Sequence, residues 1–441
     1  MKIFCSGIGG IGLSAYAALQ KANGHDVSGS DRAGGGIVDD LHAMGIRVTD
    51  DQSGNAIPPD TELFVYSEAI PDNAPERKRA SNLHIPQKSY PEALSALMQG
   101  KRVIAVCGTH GKSSTTAMAA RLLMESGLDP TVVVGTRMKE LQGRNWRKGE
   151  GEWFVVEACE YRRSFLHYAP RIILLTNCDG DHFDYYASVG EYRKAFAEFI
   201  GSLSEDGTVI AHANDEDSWK LVKDSGKRSI DADAFPSVRL HTPGEHQRSN
   251  ARLVLALATI LEVPQADAKK SLSGYAGSWR RMDILGTTEF GVTIINDYAH
   301  HPVEIRATIA AVREAYPQRR LVCVFQPHTH DRTIKLYKDF ISSFRGTDVV
   351  IIPDIYEARN DRESGRVDIQ AFVADIEKGS DVETYDGSSL EGTEALLRTT
   401  ILKNGDVLLV MGAGSVTNLA TAMAVESSGG SIAGGGSSSL A

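Results

Sequence analysis

Arg102–Thr116 reads RVIAVCGTHGKSSTT. The apolar run Arg102–Cys107 has the length and β-branched content of a buried strand, and a helix-like segment follows it. Between them stands Gly108-Thr109-His110-Gly111-Lys112-Ser113, with Ser114 next. Glycines let backbone N–H groups close around an anion, and a helix N-terminus adds the positive end of its dipole. Lys112 supplies a point charge for the outer phosphates, and the Ser113 hydroxyl is placed to hold Mg²⁺. The loop is shorter than the general G-x-x-x-x-G-K-[ST] form, whose first glycine would fall at Val106. Strand, glycines, Lys, serines and helix arrive in the order a nucleotide phosphate cradle needs.

Outward from this loop, the chain is too long at 441 residues for one ordinary domain. Its formal net charge of −10 argues against general nucleic-acid binding. No apolar run reaches the roughly 18 residues of a membrane span. The opening MKIFCSGIGG reads as a strand and turn rather than a leader, and the scattered cysteines 5, 107, 159, 178 and 323 contain no CxxC. Buried, reduced thiols in a cytoplasmic protein are therefore expected.

The patterning divides the chain into residues 1–100, 101–278 and 279–426, with a Gly/Ser-rich tail at 427–441 expected to be flexible. In the first part, strand Lys2–Ser6 runs into Gly7-Ile8-Gly9-Gly10-Ile11-Gly12, a G-x-G-x-x-G turn. Asp31 stands about 20 residues on, at the end of the second strand. A nucleotide pyrophosphate on a helix N-terminus is one reading, and a ligand-free tight turn is the plain alternative. In the second part, strands Glu152–Glu157 and Arg171–Thr176 end in Glu157-Ala158-Cys159-Glu160 and Asn177-Cys178-Asp179-Gly180-Asp181-His182. Ligands of open parallel sheets bind outside the carboxyl ends of strands. Both clusters are thus expected near Lys112, with Glu157 and His182 as candidate Mg²⁺ ligands and a cap or turn role as the plain alternative for any one acidic residue at a strand end. The last part repeats strand, polar loop and helix, which predicts a parallel sheet with its loops on one edge. The fold class is α/β in three domains.

These motifs together resemble the Mur ligases, the ATP-dependent amide-forming enzymes of peptidoglycan precursor synthesis, and among them the alanine-adding branch. The resemblance runs from Ile3 to about Ala420. GIGGIG at 7–12, GSD at 29–31 and YSEAIPDNAPE at 66–76 are similar to the family's UDP-sugar domain. GTHGKSSTT at 108–116 is its short phosphate loop, and EACEYRRSFL at 157–166 and TNCDGDHFDYY at 176–186 match its central domain. NDYAHHPVEI at 296–305, FQPH at 325–328, DIYEAR at 354–359 and MGAGSV at 411–416 complete the pattern.

The resemblance implies a Rossmann-like UDP-binding domain, a central P-loop ATPase-like domain and a C-terminal Rossmann-like domain. It implies UDP-N-acetylmuramate, L-alanine and ATP as substrates, Mg²⁺ as cofactor, and a monomer or weak dimer. Gly9, Gly10, Ile11, Gly12, Asp31, Ser67 and Ala69 would bind the UDP-sugar. Gly108 to Ser114, His246, Asn250, Arg281 and Asp297 would bind ATP, with Ser113, Glu157 and His182 on the metal. Lys112, His300 and Arg332 would serve the chemistry, and the last domain would close over the middle one. Arg162 and Arg163 read as solvated charges, and His301 as a helix cap. Several positions depart from the family pattern: Thr329 where many members have Arg, Gln247 for Asn, Met282 for an aromatic residue and Ser415 for Asp. Three other readings compete. A ligase joining a whole peptide to the same UDP-sugar shares the first two domains. A nicotinamide-dependent oxidoreductase leaves the Lys112 loop unexplained. A non-catalytic nucleotide-binding regulator has no need of Lys112, Ser113, Glu157 and His182 together.

Overall fold

The computed structural model describes residues 1–32, 34–183, 185–357 and 365–425. Part of DIYEAR and the Gly/Ser-rich tail therefore lie outside the described residues. Three sheets account for the strands. The first holds β1 (Lys2–Ser6), β2 (Asp26–Ser30), β3 (Arg47–Thr49), β4 (Leu63–Tyr66) and β5 (Gln87–Ser89). All are parallel, in the order β3-β2-β1-β4-β5. That is the order of a Rossmann-like half, with its crevice between β1 and β4.

The second sheet holds β6 (Arg102–Cys107), β7 (Thr131–Met138), β8 (Arg144–Arg147), β9 (Trp153–Glu157), β10 (Ile172–Leu175), β11 (Thr208–Ala211) and β12 (Arg228–Asp231). Its order is β12-β11-β10-β6-β9-β7-β8. The phosphate loop thus leaves the middle of the sheet, flanked by the ends of β9 and β10. The third sheet holds β13 (Asp283–Thr287), β14 (Thr293–Asp297), β15 (Leu321–Phe325), β16 (Val349–Pro353), β17 (Glu383–Ser388) and β18 (Val407–Met411). Its order is β13-β14-β18-β15-β16-β17. It is not wholly parallel as expected. β13 runs antiparallel to β14, because the Thr288–Val292 turn is too short for a crossover.

Period-two alternation decides which core each strand side enters. In β6, Val103, Ala105 and Cys107 face one core while Ile104 and Val106 face another. The first of these cores also contains Ile3, Leu13, Tyr16 and Val27 from the first sheet and its helix Ile11–Ala22. The first and second sheets therefore share one apolar core. The other face of the second sheet packs on the helices Lys112–Glu125 and Glu245–Ile260 through Met118, Leu122, Leu253 and Leu257. In the third sheet, Ile295 and Leu409 enter one core, and Ile294, Leu408 and Val410 another. By contact the chain forms two compact units: Met1–Leu240 with Arg248–Tyr275, and His241–Gln247 with Ala276 onward. Among the described residues, no helix is long and apolar enough to cross a membrane.

Candidate active site

The phosphate loop is built by two glycines that no other residue could replace without a shift. Gly108 has φ +140, and a Cβ there would lie 1.9 Å from Thr176 Oγ1. Gly111 has φ +82, and a Cβ there would lie 2.6 Å from Asn250 Oδ1. The loop is tied to the end of β10. Asn177 Oδ1 accepts the His110 N–H at 2.9 Å, and the Thr176 hydroxyl donates to His110 O at 2.5 Å. His110 Nε2 lies 3.6 Å from Asp179 Oδ2.

Lys112 starts the helix behind the loop. Its ammonium donates to Gly108 O at 2.5 Å, Thr109 O at 3.1 Å and Glu160 Oε1 at 3.0 Å. Glu160 is fully buried and also accepts from the Tyr192 hydroxyl at 3.2 Å. Burial alone would raise the Glu160 carboxyl, but Lys112 and His182 beside it hold it below the usual carboxylate range. Burial works against the charge on Lys112, yet Glu160 holds its ammonium above the usual lysine value. The sequence displays Glu160 within its polar cluster, but only the fold shows it to be the partner of Lys112.

Ser113 donates to Glu157 Oε1 at 3.0 Å, and Glu157 Oε2 accepts the Gly135 N–H at 2.7 Å. A hydroxyl beside a carboxylate at the phosphate loop is the hard-oxygen pair that suits Mg²⁺, which takes its other ligands from phosphate and water. His182 stands instead 3.5 Å from Glu160 Oε1, in left-handed backbone at φ 55. Among the described residues, no group of three or more His, Cys, Asp or Glu side chains gathers as a metal site.

In the first sheet, the loops after β1 and β4 meet at the crevice. Asp31 Oδ2 accepts the Gly9 N–H at 2.8 Å, and Gly10 caps the helix that begins at Ile11. A Cβ at Gly12 would lie 2.8 Å from the Tyr90 ring. Ser67 Oγ accepts the Ala69 N–H at 3.4 Å. Buried Glu76 sits under the ends of β1 and β2, accepting from Ser6 and, at 2.6 Å, from Ser30. Burial pushes its carboxyl above the usual range. The second sheet also reaches this region, since Asn145 Nδ2 donates to Ile11 O at 2.5 Å. Asn145 does not stand out in the sequence, and Glu76 appears there only as the last residue of the 66–76 stretch. Arg162 is exposed, as expected of a solvated charge. Its guanidinium donates to Glu68 O at 2.8 Å and lines a cavity of about 360 Å³ with Tyr66, Ala69 and Arg77. Arg163 pairs with Glu198. Cys159 is exposed, against the expectation of burial, while the other four cysteines are buried.

In the second unit the predicted residues gather on one sheet edge. Tyr298 lies under Arg280 and Arg281, whose guanidinium carbons are 4.7 and 4.9 Å from its ring centre. His300 Nδ1 is 3.0 Å from Tyr298 O, and its ring is 6.0 Å from that of His328. Arg332 Nη1 lies 3.1 Å from His328 Nδ1, and His328 stacks on Tyr356. Asp297 is buried, accepting the N–H groups of Met282 at 2.7 Å and Ala299 at 2.8 Å. Burial pushes its carboxyl above the usual range, against the pull of Arg281. Arg280 is buried and donates to Gly412 O and Gly414 O. Thr329 caps the next helix at φ +69, a region strained for a β-branched residue, and its N–H bonds Tyr356 O at 3.0 Å. His301 caps the helix Pro302–Ala315 as expected, accepting the Val303 N–H. Asn250 and His246 share the helix Glu245–Ile260, Asn250 in the first unit and His246 in the second.

Three family profiles match the chain in order: Mur ligase family, catalytic domain, at residues 2–102; Mur ligase middle domain at 106–236; and Mur ligase, glutamate ligase domain, at 280–414. UDP-N-acetylmuramate–L-alanine ligase of Clostridium novyi is 34% identical over 94% of this chain and 95% of its own. The Clostridium kluyveri enzyme of the same name is 35% identical over 94% and 96%. The crystal structure of UDP-N-acetylmuramate-alanine ligase from Thermotoga maritima superposes with a TM-score of 0.80 at 28% identity, covering 97% of this chain and 98% of that one. A murein peptide ligase from Psychrobacter arcticus, 22% identical, shares the fold with a TM-score of 0.72. On its sequence and on its fold, the chain belongs to the Mur ligase family.

Proposed function

We infer that this chain is an ATP-dependent, ADP-forming ligase that joins the muramoyl carboxylate of UDP-N-acetylmuramate to L-alanine in peptidoglycan precursor synthesis. The observation that carries the reading is the Lys112 loop, backed by Glu160 and flanked by Ser113–Glu157. It lies in a chain alignable end to end with relatives of that activity.

The first sheet would hold the UDP-sugar at the β1/β4 crevice through Gly9 to Gly12, Asp31, Ser67 and Ala69. The phosphate loop would hold ATP with its γ-phosphate at Lys112. A carboxylate oxygen attacks the γ-phosphorus, the bond to ADP breaks, and an acyl phosphate forms. Lys112 neutralises charge on the moving phosphoryl group, and its anchor on Glu160 keeps the ammonium charged and aimed. Ser113 and Glu157 would hold Mg²⁺, with His182 available beside Glu160. When bound, that ion neutralises phosphate charge during transfer. The amine of the amino acid then attacks the acyl carbon, phosphate leaves, and a proton is lost. Arg332 and His300 would take the amino-acid carboxylate, for which a guanidinium fork is suited. Arg281 and Asp297 would meet the ATP phosphates and ribose, and His246 and Asn250 its adenine side.

Phosphate release from ATP with UDP-N-acetylmuramate, screened with L-alanine, glycine, L-serine and the tripeptide, tests the reading. Release with L-alanine is expected. Release with the tripeptide alone would favour the peptide-joining reading, and no amine-dependent release would reject the ligase.

A further inference from the structure

The second sheet carries a hydrogen-bonded chain outside the phosphate loop. His212 follows β11 and is 7% exposed. Its Nδ1 lies 2.8 Å from Asp233 Oδ1, and its Nε2 lies 2.9 Å from the Ser249 hydroxyl. Asp233 follows β12, and its other oxygen accepts the Asn214 N–H at 2.9 Å. Burial would raise the Asp233 carboxyl, but the Asn214 N–H and His212 hold it below the usual range. An ionised carboxylate only accepts, so in neutral His212 the Nδ1 carries the proton. Nε2 is then the acceptor, and Ser249 donates to it.

These distances are those of a serine nucleophile with its base and orienting acid. The surroundings differ. Ser249 lies inside the helix Glu245–Ile260, where N–H groups are spent on the i→i−4 ladder rather than gathered as oxyanion donors. What the chain does is fasten that helix to the ends of β11 and β12. The next helical residue, Asn250, is the one pressed against Gly111 of the phosphate loop. In strand order, β11 and β12 lie beyond β10 on one side of the loop. A nucleotide with its phosphates on the loop and its nucleoside toward that side would meet this helix.

We propose that Asp233–His212–Ser249 is a positioning relay for the nucleoside end of ATP. It holds the helix that carries Asn250 in register with the phosphate loop. It sets nucleotide affinity and leaves the phosphoryl-transfer step untouched. The inference rests on the nucleotide site proposed above.

The test uses the full chain and two probes, adenylyl imidodiphosphate and inorganic tripolyphosphate, with dissociation constants from calorimetry. Ser249→Ala and Asp233→Asn are expected to weaken the nucleotide analogue about tenfold. Tripolyphosphate, which needs only the loop, should change by less than about twofold. In turnover, KM for ATP should rise with kcat held. Ser249→Thr keeps the hydroxyl and should restore wild-type affinity, which a simple packing role would not predict. Unchanged nucleotide affinity in Ser249→Ala overturns the proposal. So does an equal loss for both probes, which would mean general damage to the loop. A wild-type chain that binds the analogue but releases no phosphate with any amine rejects the ligase reading instead, because the relay is judged on binding constants alone.

Discussion

At the scale of single residues, Lys112 and Glu160 form a buried ion pair at the phosphate loop. Glu160 is fully buried and the Lys112 side chain is 15% exposed. Removing one member of such a pair leaves the other charge stranded, whereas removing both can be nearly neutral. Glu160→Gln is expected to cost about 3 kcal/mol at neutral pH. Lys112→Met/Glu160→Gln should recover most of that loss, read as melting temperature without nucleotide. Because the Glu160 carboxyl is held below its ordinary value, its contribution is complete above the unfolded value, about 4.3. It is lost as pH falls through the lower folded value. The gap between wild type and Glu160→Gln should therefore begin to close below about pH 4. A gap that does not narrow as the pH falls further would contradict the pairing. In catalysis the roles separate: Lys112→Met should lower kcat by at least about 10³-fold while UDP-sugar affinity is kept.

At the scale of elements, the loop between β6 and its helix depends on positive φ where side chains crowd it. Gly111→Ala places a Cβ against Asn250, and adenylyl imidodiphosphate should bind at least about tenfold more weakly. Gly127→Ala is the control. It has φ +74 and open space, so it should cost about 1 kcal/mol of stability and leave binding unchanged. The same contrast explains what the sequence discloses. Strands β10, β15 and β18 are apolar throughout, and β6 is apolar after Arg102, because helices cover both faces, and such runs are read directly. β3, β5, β8 and β12 read RVT, QKS, RNWR and RSID, and only their neighbours make them strands. The loop chemistry around Lys112 was legible because glycine, lysine and serine have fixed jobs there. Glu160, Asn145 and the Ser249–His212–Asp233 chain were not. Each is an ordinary polar residue until folding brings a partner from 48, 134 or 37 positions away.

At the scale of the whole molecule, three sheets fall into two compact units. The two apolar clusters of the third sheet draw only on residues from Met282 onward. Residues 276–425 expressed alone should therefore melt cooperatively, a result that a broad, featureless calorimetric trace would contradict. Residues 1–100 alone should not, because Leu13, Tyr16 and Leu19 pack in a cluster with Val103, Phe154 and Val156 of the second sheet. That shared cluster also constrains how such a gene could be reshuffled. A crossover between two diverged relatives at the 275/276 boundary would exchange a unit whose interior is its own. A crossover at 100/101, though it falls in a plain connection between sheets, would put one parent's Tyr16 in the same cluster as the other parent's Phe154, and the offspring would inherit two halves of an interior that were never selected together.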